Sequence, residues 1–208
     1  LEEGADLVVG DYERIMPNGL LLPELALYDQ PWMALIRTRM GTTSANLWRR
    51  SAVEAAGGWD EGMRSSQDYE LMFRLLKQEA KVAWDRRVAT HVLKRDSGSI
   101  SRTDERANWE RYVALRGAMR DHLLASDAGK YAPEIGVLEQ YIFMALRILA
   151  TYDIDAAVAL FKRHIGRGFV PEVGRAITER YVLLYKLLGF RQAERLLQLR
   201  KNPSATHG

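Results

Sequence analysis

The chain has 208 residues, 47% of them hydrophobic and 27% charged, and a net charge of +3. This length allows one large or two small domains with buried cores, and the lack of cysteine excludes disulfides and thiolate metal sites. Lysine and arginine are dispersed, with no basic stripe interleaved with aromatics, which argues against nucleic-acid binding.

No apolar run reaches the roughly 18 residues of a membrane-crossing helix. The runs at 141–150 and 181–188 are short and carry Arg147 and Lys186. Cysteine-free composition and the lack of a signal-peptide pattern give a cytoplasmic expectation. A pI near 9.2 also suits anionic substrates or peripheral association with the inner face of an anionic membrane. The chain opens on Leu1-Glu2-Glu3-Gly4 as if within a helix, so the expectation is a fragment whose beginning has been removed.

Two halves differ in pattern. Residues 1–101 mix strand and helix signals, 102–201 are helical almost throughout, and 202–208 form a polar tail expected to be disordered. Ala5 to Tyr12 (ADLVVGDY) is a short apolar run that suits a buried strand. Pro17-Asn18-Gly19 signals a turn, with Leu20 to Leu22 returning as a second strand. Residues 23–41 suit a loop with a short helix, and Thr42 to Trp48 suits a strand.

Ser51 and Glu54 fit a capping box that would open a short helix closed by Gly57-Gly58. Ser66 is placed to cap a second helix with Leu71, Met72, Leu75 and Leu76 on its core face. Lys81 to Trp84 and Val88 to Leu93 follow as strands, with Asp85-Arg86-Arg87 as the turn between them. Helices are then expected at 102–125, 134–151, 154–166, 171–188 and 190–200. Pro171 marks a start, and Gly129, Gly168 and Gly189 mark breaks.

The stretch richest in chemistry is Gly57-Gly58-Trp59-Asp60-Glu61 followed by Gln67-Asp68-Tyr69-Glu70-Leu71-Met72-Phe73-Arg74. Paired glycines let the backbone turn tightly, and Trp59 supplies a broad aromatic plate. Asp68 falls in the first turn of a helix, where exposed N–H groups and the positive dipole end stabilise a carboxylate. Such a group can accept a proton or bind a cation. From these residues alone, a plain helix-start aspartate, a solvated Glu70 and a core Trp59 fit as well.

The ordered set of motifs resembles the acceptor half of family 2 glycosyltransferases with a GT-A fold. Arg49-Arg50, the Gly57 to Glu61 segment, Gln67 to Glu70 and Leu71-x-x-Arg74 follow the order and spacing of that family. Ala5 to Tyr12 is similar to its strand ending in Gly-Asp-Tyr, and Gly98-Ser99-Ile100-Ser101 to its Gly-Ser-hydrophobic-Ser loop. The implied fold class is α/β, the mixed α+β half of a GT-A-like domain, followed by an all-α helical region.

The resemblance implies an inverting transfer from a nucleotide-sugar donor to the hydroxyl of a glycan or lipid-linked acceptor, in surface glycan or polysaccharide synthesis. It makes Asp68 the general base and places Trp59, Asp60, Gln67 and Glu70 around the acceptor. It places Lys94 and Arg95 near the diphosphate and makes Asp96 a weak metal ligand, with Mg²⁺ or Mn²⁺ serving the complete enzyme. Two departures stand out: Gln67 replaces the usual glutamate, and Asp96-Ser97 replaces a His-Pro pair.

The family's Asp-x-Asp motif is not matched at a strand end, because Asp153-x-Asp155 begins a helix in the wrong half. The chain alone is therefore expected to bind no cation and to be inactive. A non-catalytic protein- or glycan-binding module derived from a transferase is the alternative. The helical half suits packing within the chain, homodimerisation or a membrane surface.

Overall fold

The structure, a computed structural model, describes residues 4–94 and 104–201. The chain divides into two units, Leu1–Asp104 and Glu105–Gly208. The first mixes strands and helices, and the second is helical apart from one isolated bridge among its described residues.

The first unit is built on β1 (Leu7–Ile15), whose Leu7 and Val9 are fully buried. A strand has two edges, and β4 (Val82–Leu93) runs parallel along one of them. The other edge is divided between two antiparallel strands. β3 (Leu47–Trp48) pairs with Leu7 and Val8, and β2 (Leu21–Glu24) pairs with Tyr12 to Ile15. Asn18-Gly19 makes the β1–β2 turn as expected, with Gly19 at φ 80°. Pro23 fits in β2 because that strand is short and lies at an edge.

Three expectations change here. Residues 42–46 form a turn, closed by the Ala45 N–H on the Thr42 carbonyl, so only Leu47 and Trp48 remain strand. Residues 81–93 do not reverse at Asp85-Arg86-Arg87. They form the single strand β4, in register with β1 on both sides of an irregularity opposite Gly10 to Tyr12. Arg87 donates to Asp85 through its side chain at 2.9 and 2.8 Å and its backbone N–H at 3.0 Å, which folds the kink locally. The Ser51–Glu54 capping box is absent: α2 (Arg50–Ala55) is capped at Arg49 without a side-chain bond, and Glu54 takes Arg50 at 2.7 Å.

α1 (Pro31–Ile36) buries Met33 to Ile36, and α3 (Gln67–Lys77) buries Leu71, Met72, Phe73, Leu75 and Leu76. α1 packs on α3, and Trp32 meets Phe73 edge-on at 6.1 Å. α2 packs on the other side of α3 through Ala56, Leu71 and Leu75. Inside β1, Asp11 is buried and accepts from the Ala26 N–H at 2.8 Å and from the Tyr28 hydroxyl. Arg86, from the β4 kink, lies over the Tyr28 ring at 4.4 Å. These contacts fold residues 25–28 back onto the sheet.

The second unit holds α4 (Glu105–Asp127), α5 (Ala132–Tyr152), α6 (Ile154–His164) and α7 (Glu179–Lys201), the last broken at Gly189 as expected. Its core centres on Phe143, ringed by Phe161, Phe169, Tyr181, Tyr185 and Phe190. By length and composition α5 is apolar enough to cross a membrane, although no uninterrupted run marked it so. Its Leu138, Ile142, Phe143, Leu146 and Leu149 are fully buried in this unit.

The helix expected from Pro171 begins instead at Glu179. The Gln140 amide donates to the Val170 carbonyl at 3.2 Å and accepts from the Glu172 N–H at 3.1 Å. It thereby satisfies this backbone outside a helix. The Thr178 hydroxyl then accepts from the Tyr181 N–H at 3.2 Å and caps α7.

Candidate functional site

The site is carried by the connection from α2 to α3. Gly57 and Gly58 both take positive φ, 86° and 71°, a conformation that favours glycine. Their N–H groups return to the carbonyls of Glu54 and Val53 at 2.9 Å each, ending α2 and turning the chain toward Trp59.

Arg74, on α3, fixes this turn from below. Its Nε and Nη2 hold both carboxylate oxygens of Glu70, at 2.7 and 2.6 Å. The same guanidinium donates to the Ala56 carbonyl and, at 2.8 Å, to the Gly58 carbonyl. The bond to Glu70 stabilises the charged guanidinium and raises its pKa further above its ordinary value. Such two-pronged charged bonds are among the stronger and more directional in proteins.

Past the turn, the loop to α3 is shaped by side-chain bonds to its own backbone. Asp60 Oδ1 accepts from the Gly62 N–H at 2.9 Å, and Gln67 Nε2 donates to the Met63 carbonyl at 2.7 Å. α3 starts after Ser66, as expected, but Ser66 lies in the left-handed region (φ 61°, ψ 24°) and its hydroxyl makes no cap bond. Asp68 sits in the first turn and accepts from the Tyr69 N–H at 3.0 Å.

These residues line an open cleft of about 440 Å³, bounded by Thr43, Trp59, Asp60, Glu61, Gln67 and Asp68. Trp59 is not core: it is 41% exposed. Trp48 braces it edge-on, with ring centroids 5.6 Å apart and planes at 62°. The Trp48 indole N–H in turn donates to the Thr43 carbonyl at 3.3 Å. An aromatic plate, a helix-start carboxylate, two further carboxylates and a primary amide therefore face one open space.

Trp59, Asp60, Gln67 and Asp68 thus come together. Glu70 does not line the cleft: its partner is Arg74, four residues on along the same helix, so it holds the turn. Lys94 does not line it either, and its N–H closes the β1–β4 pairing on the Ile15 carbonyl at 2.9 Å. Arg95, Asp96 and the Gly98 to Ser101 loop lie outside the described residues. His91 faces Glu13 across the sheet, with Nδ1 3.3 Å from Oε2. Arg49 ties down the start of β1, with Nε donating to the Ala5 carbonyl at 2.7 Å.

Asp153 caps α6, accepting from the Ala156 N–H at 2.9 Å, and that bond holds its pKa below the ordinary carboxylate value. Thr43, Trp48 and Glu61 were missed as site residues. Glu61 stood in the quoted motif, but no local pattern pointed to Thr43 or Trp48.

Among the described residues no group of three or more His, Cys, Asp or Glu side chains could hold a metal ion. Asp96, the ligand that the resemblance implies, lies outside the described residues. No protein-family model, curated protein or solved structure matches the chain.

Proposed function

We propose that this chain supplies the acceptor side of an inverting, nucleotide-sugar-dependent glycosyltransferase. One observation carries the reading: the helix-start carboxylate of Asp68 shares an open cleft with the exposed face of Trp59. Aromatic plates suit the apolar faces of pyranose rings, and a hydroxyl becomes a competent nucleophile only when its proton has an acceptor.

In this scheme Trp59 orients a sugar ring, and Asp60 and Gln67 accept or donate to its hydroxyls. Asp68 takes the proton of the attacking hydroxyl. That oxygen then bonds to the anomeric carbon of the donor, while the bond to the nucleoside diphosphate breaks on the opposite face. Glu70 and Arg74 act as positioning residues, because they hold the turn that presents Trp59. Binding of the donor and its cation falls to residues other than those lining this cleft, and no step above runs through the metal.

A glycan-binding module without chemistry is the second reading. It is favoured by Gln67, which stands where the family has glutamate and whose amide is bonded to the Met63 carbonyl. A transfer assay separates the two. The polypeptide carrying this chain is incubated with UDP- or GDP-sugars, Mn²⁺ and oligosaccharide acceptors, and the anomeric configuration of product is read by NMR. Product of inverted configuration supports the transferase. Saccharide binding without product supports the module, and neither binding nor product overturns both.

A further inference from the structure

We infer that the cleft selects its saccharide by charge, admitting neutral and amine-bearing sugars and rejecting those with carboxylate or phosphate groups. The inference rests on the proposed saccharide site and goes beyond it by naming the substrate class.

The observation is the sign of the lining. Of its six residues, Asp60, Glu61 and Asp68 carry carboxylates, while Thr43, Trp59 and Gln67 are uncharged. Among the described residues no lysine or arginine lines the cleft. Arg74 is the cation closest in mechanism, yet it is held by both oxygens of Glu70 and by the carbonyls of Ala56 and Gly58. Glu70 thus takes most of the Arg74 charge, and Asp60 is drawn to the guanidinium only through space, with no hydrogen bond between them. Arg64 lies on the same loop but is exposed and does not line the cleft.

A ring stacked on Trp59 would bring any acidic substituent close to this set of carboxylates. Like charges across an interface are a strong means of rejecting a ligand, and concave sites focus such fields. An ammonium group in the same place would be attracted. The cleft is open, so the discrimination should weaken as salt rises.

The test is an array of oligosaccharides in which each backbone is present uncharged, with free amines and with uronate carboxylates. The whole chain is applied at low and at high salt. Amine-bearing and neutral forms should bind, and the uronate form of the same backbone should bind at least about tenfold more weakly at low salt, with the gap closing at high salt. In the pair of substitutions Asp60→Asn and Glu61→Gln the gap should narrow by about tenfold. The asparagine keeps the oxygen that accepts from Gly62.

Uronate binding equal to or tighter than neutral binding overturns charge selection and leaves the saccharide site standing. So does a gap unchanged by the paired substitutions. Binding of no saccharide at all removes the site itself.

Discussion

Trp48 meets the ring of Trp59 edge-on at 5.6 Å, and its own N–H reaches the Thr43 carbonyl at 3.3 Å. One buttress therefore supports two sides of the same cleft. An edge-to-face pair contributes roughly 0.5–1.5 kcal/mol beyond area burial. Trp48→Ala should weaken saccharide binding by up to about tenfold, and Trp59→Ala by about tenfold or more. Trp48→Phe keeps an aromatic edge without the N–H and should recover most of the loss. Titration followed by intrinsic fluorescence measures all three. Equal affinity in Trp59→Ala and the parent would mean that the plate does not touch the ligand.

The Glu70–Arg74 pair should matter to folding as well as to the site. Arg74→Met would leave a half-buried carboxylate and two carbonyls without their donor, and bonds to charged groups contribute about 1.5–3 kcal/mol. Urea unfolding should show a loss of that order. Arg74→Lys keeps the charge but not the forked geometry, and should fall between the two. A double-mutant cycle with Glu70→Gln should give strong coupling, and simple additivity would mean that the pair is ornamental.

Asp11 and Tyr28 should make the first unit sensitive to alkali. Burial first, then the bond to Asp11, raises the Tyr28 phenol above its ordinary value of 10.0. A raised value means the folded state holds the proton more tightly. The resulting stability is complete below pH about 10 and is lost as pH rises through the folded value. Tyr28→Phe should remove this alkaline dependence. It should also cost about 1–3 kcal/mol at neutral pH, because buried Asp11 loses one donor. Denaturation midpoints from pH 7 to 11 measure both effects.

In the second unit, Gly117 on α4 faces buried His164 on α6. A Cβ at Gly117 would lie 2.3 Å from the imidazole Cε1. Helix propensity alone favours alanine by about 1 kcal/mol, but forced overpacking costs about 1–3 kcal/mol. Gly117→Ala should therefore destabilise, and a second change, His164→Ala, should relieve the clash.

His164 itself should give the unit an acid sensitivity. Burial lowers its pKa from 6.5, with Arg163 and Arg120 adding to the lowering and Asp121 opposing it. The contribution is present above pH about 6.5 and is lost as pH falls through the folded value. Thermal melts of His164→Ala should lose this component of the acid slope.

Much of this was legible in the sequence because its signals were local. Gly57-Gly58 encodes a left-handed turn, the apolar stripe of α3 encodes its buried face, and Asn18-Gly19 encodes a hairpin. The misread elements depend on distant partners or on side chains that favour two structures. Asp85-Arg86-Arg87 has turn composition, yet pairing with β1 on both sides keeps it in one strand. Pro171 can start a helix, yet the amide of Gln140, some thirty residues earlier, bonds that backbone outside a helix. The Glu70–Arg74 pair has i,i+4 spacing and was open to detection. The Trp48–Thr43 support of the cleft was not, because a side-chain bond back to a carbonyl five residues earlier in a turn follows no regular spacing.

The central claim is that Asp68 is the proton acceptor in sugar transfer. Its most direct test is the turnover of Asp68→Asn against the parent, in the polypeptide that carries this chain, at saturating donor. Asparagine keeps the size and removes the base. The expected result is a kcat lower by about 10²–10⁴-fold with the acceptor KM nearly unchanged. Undiminished kcat in Asp68→Asn would contradict the account.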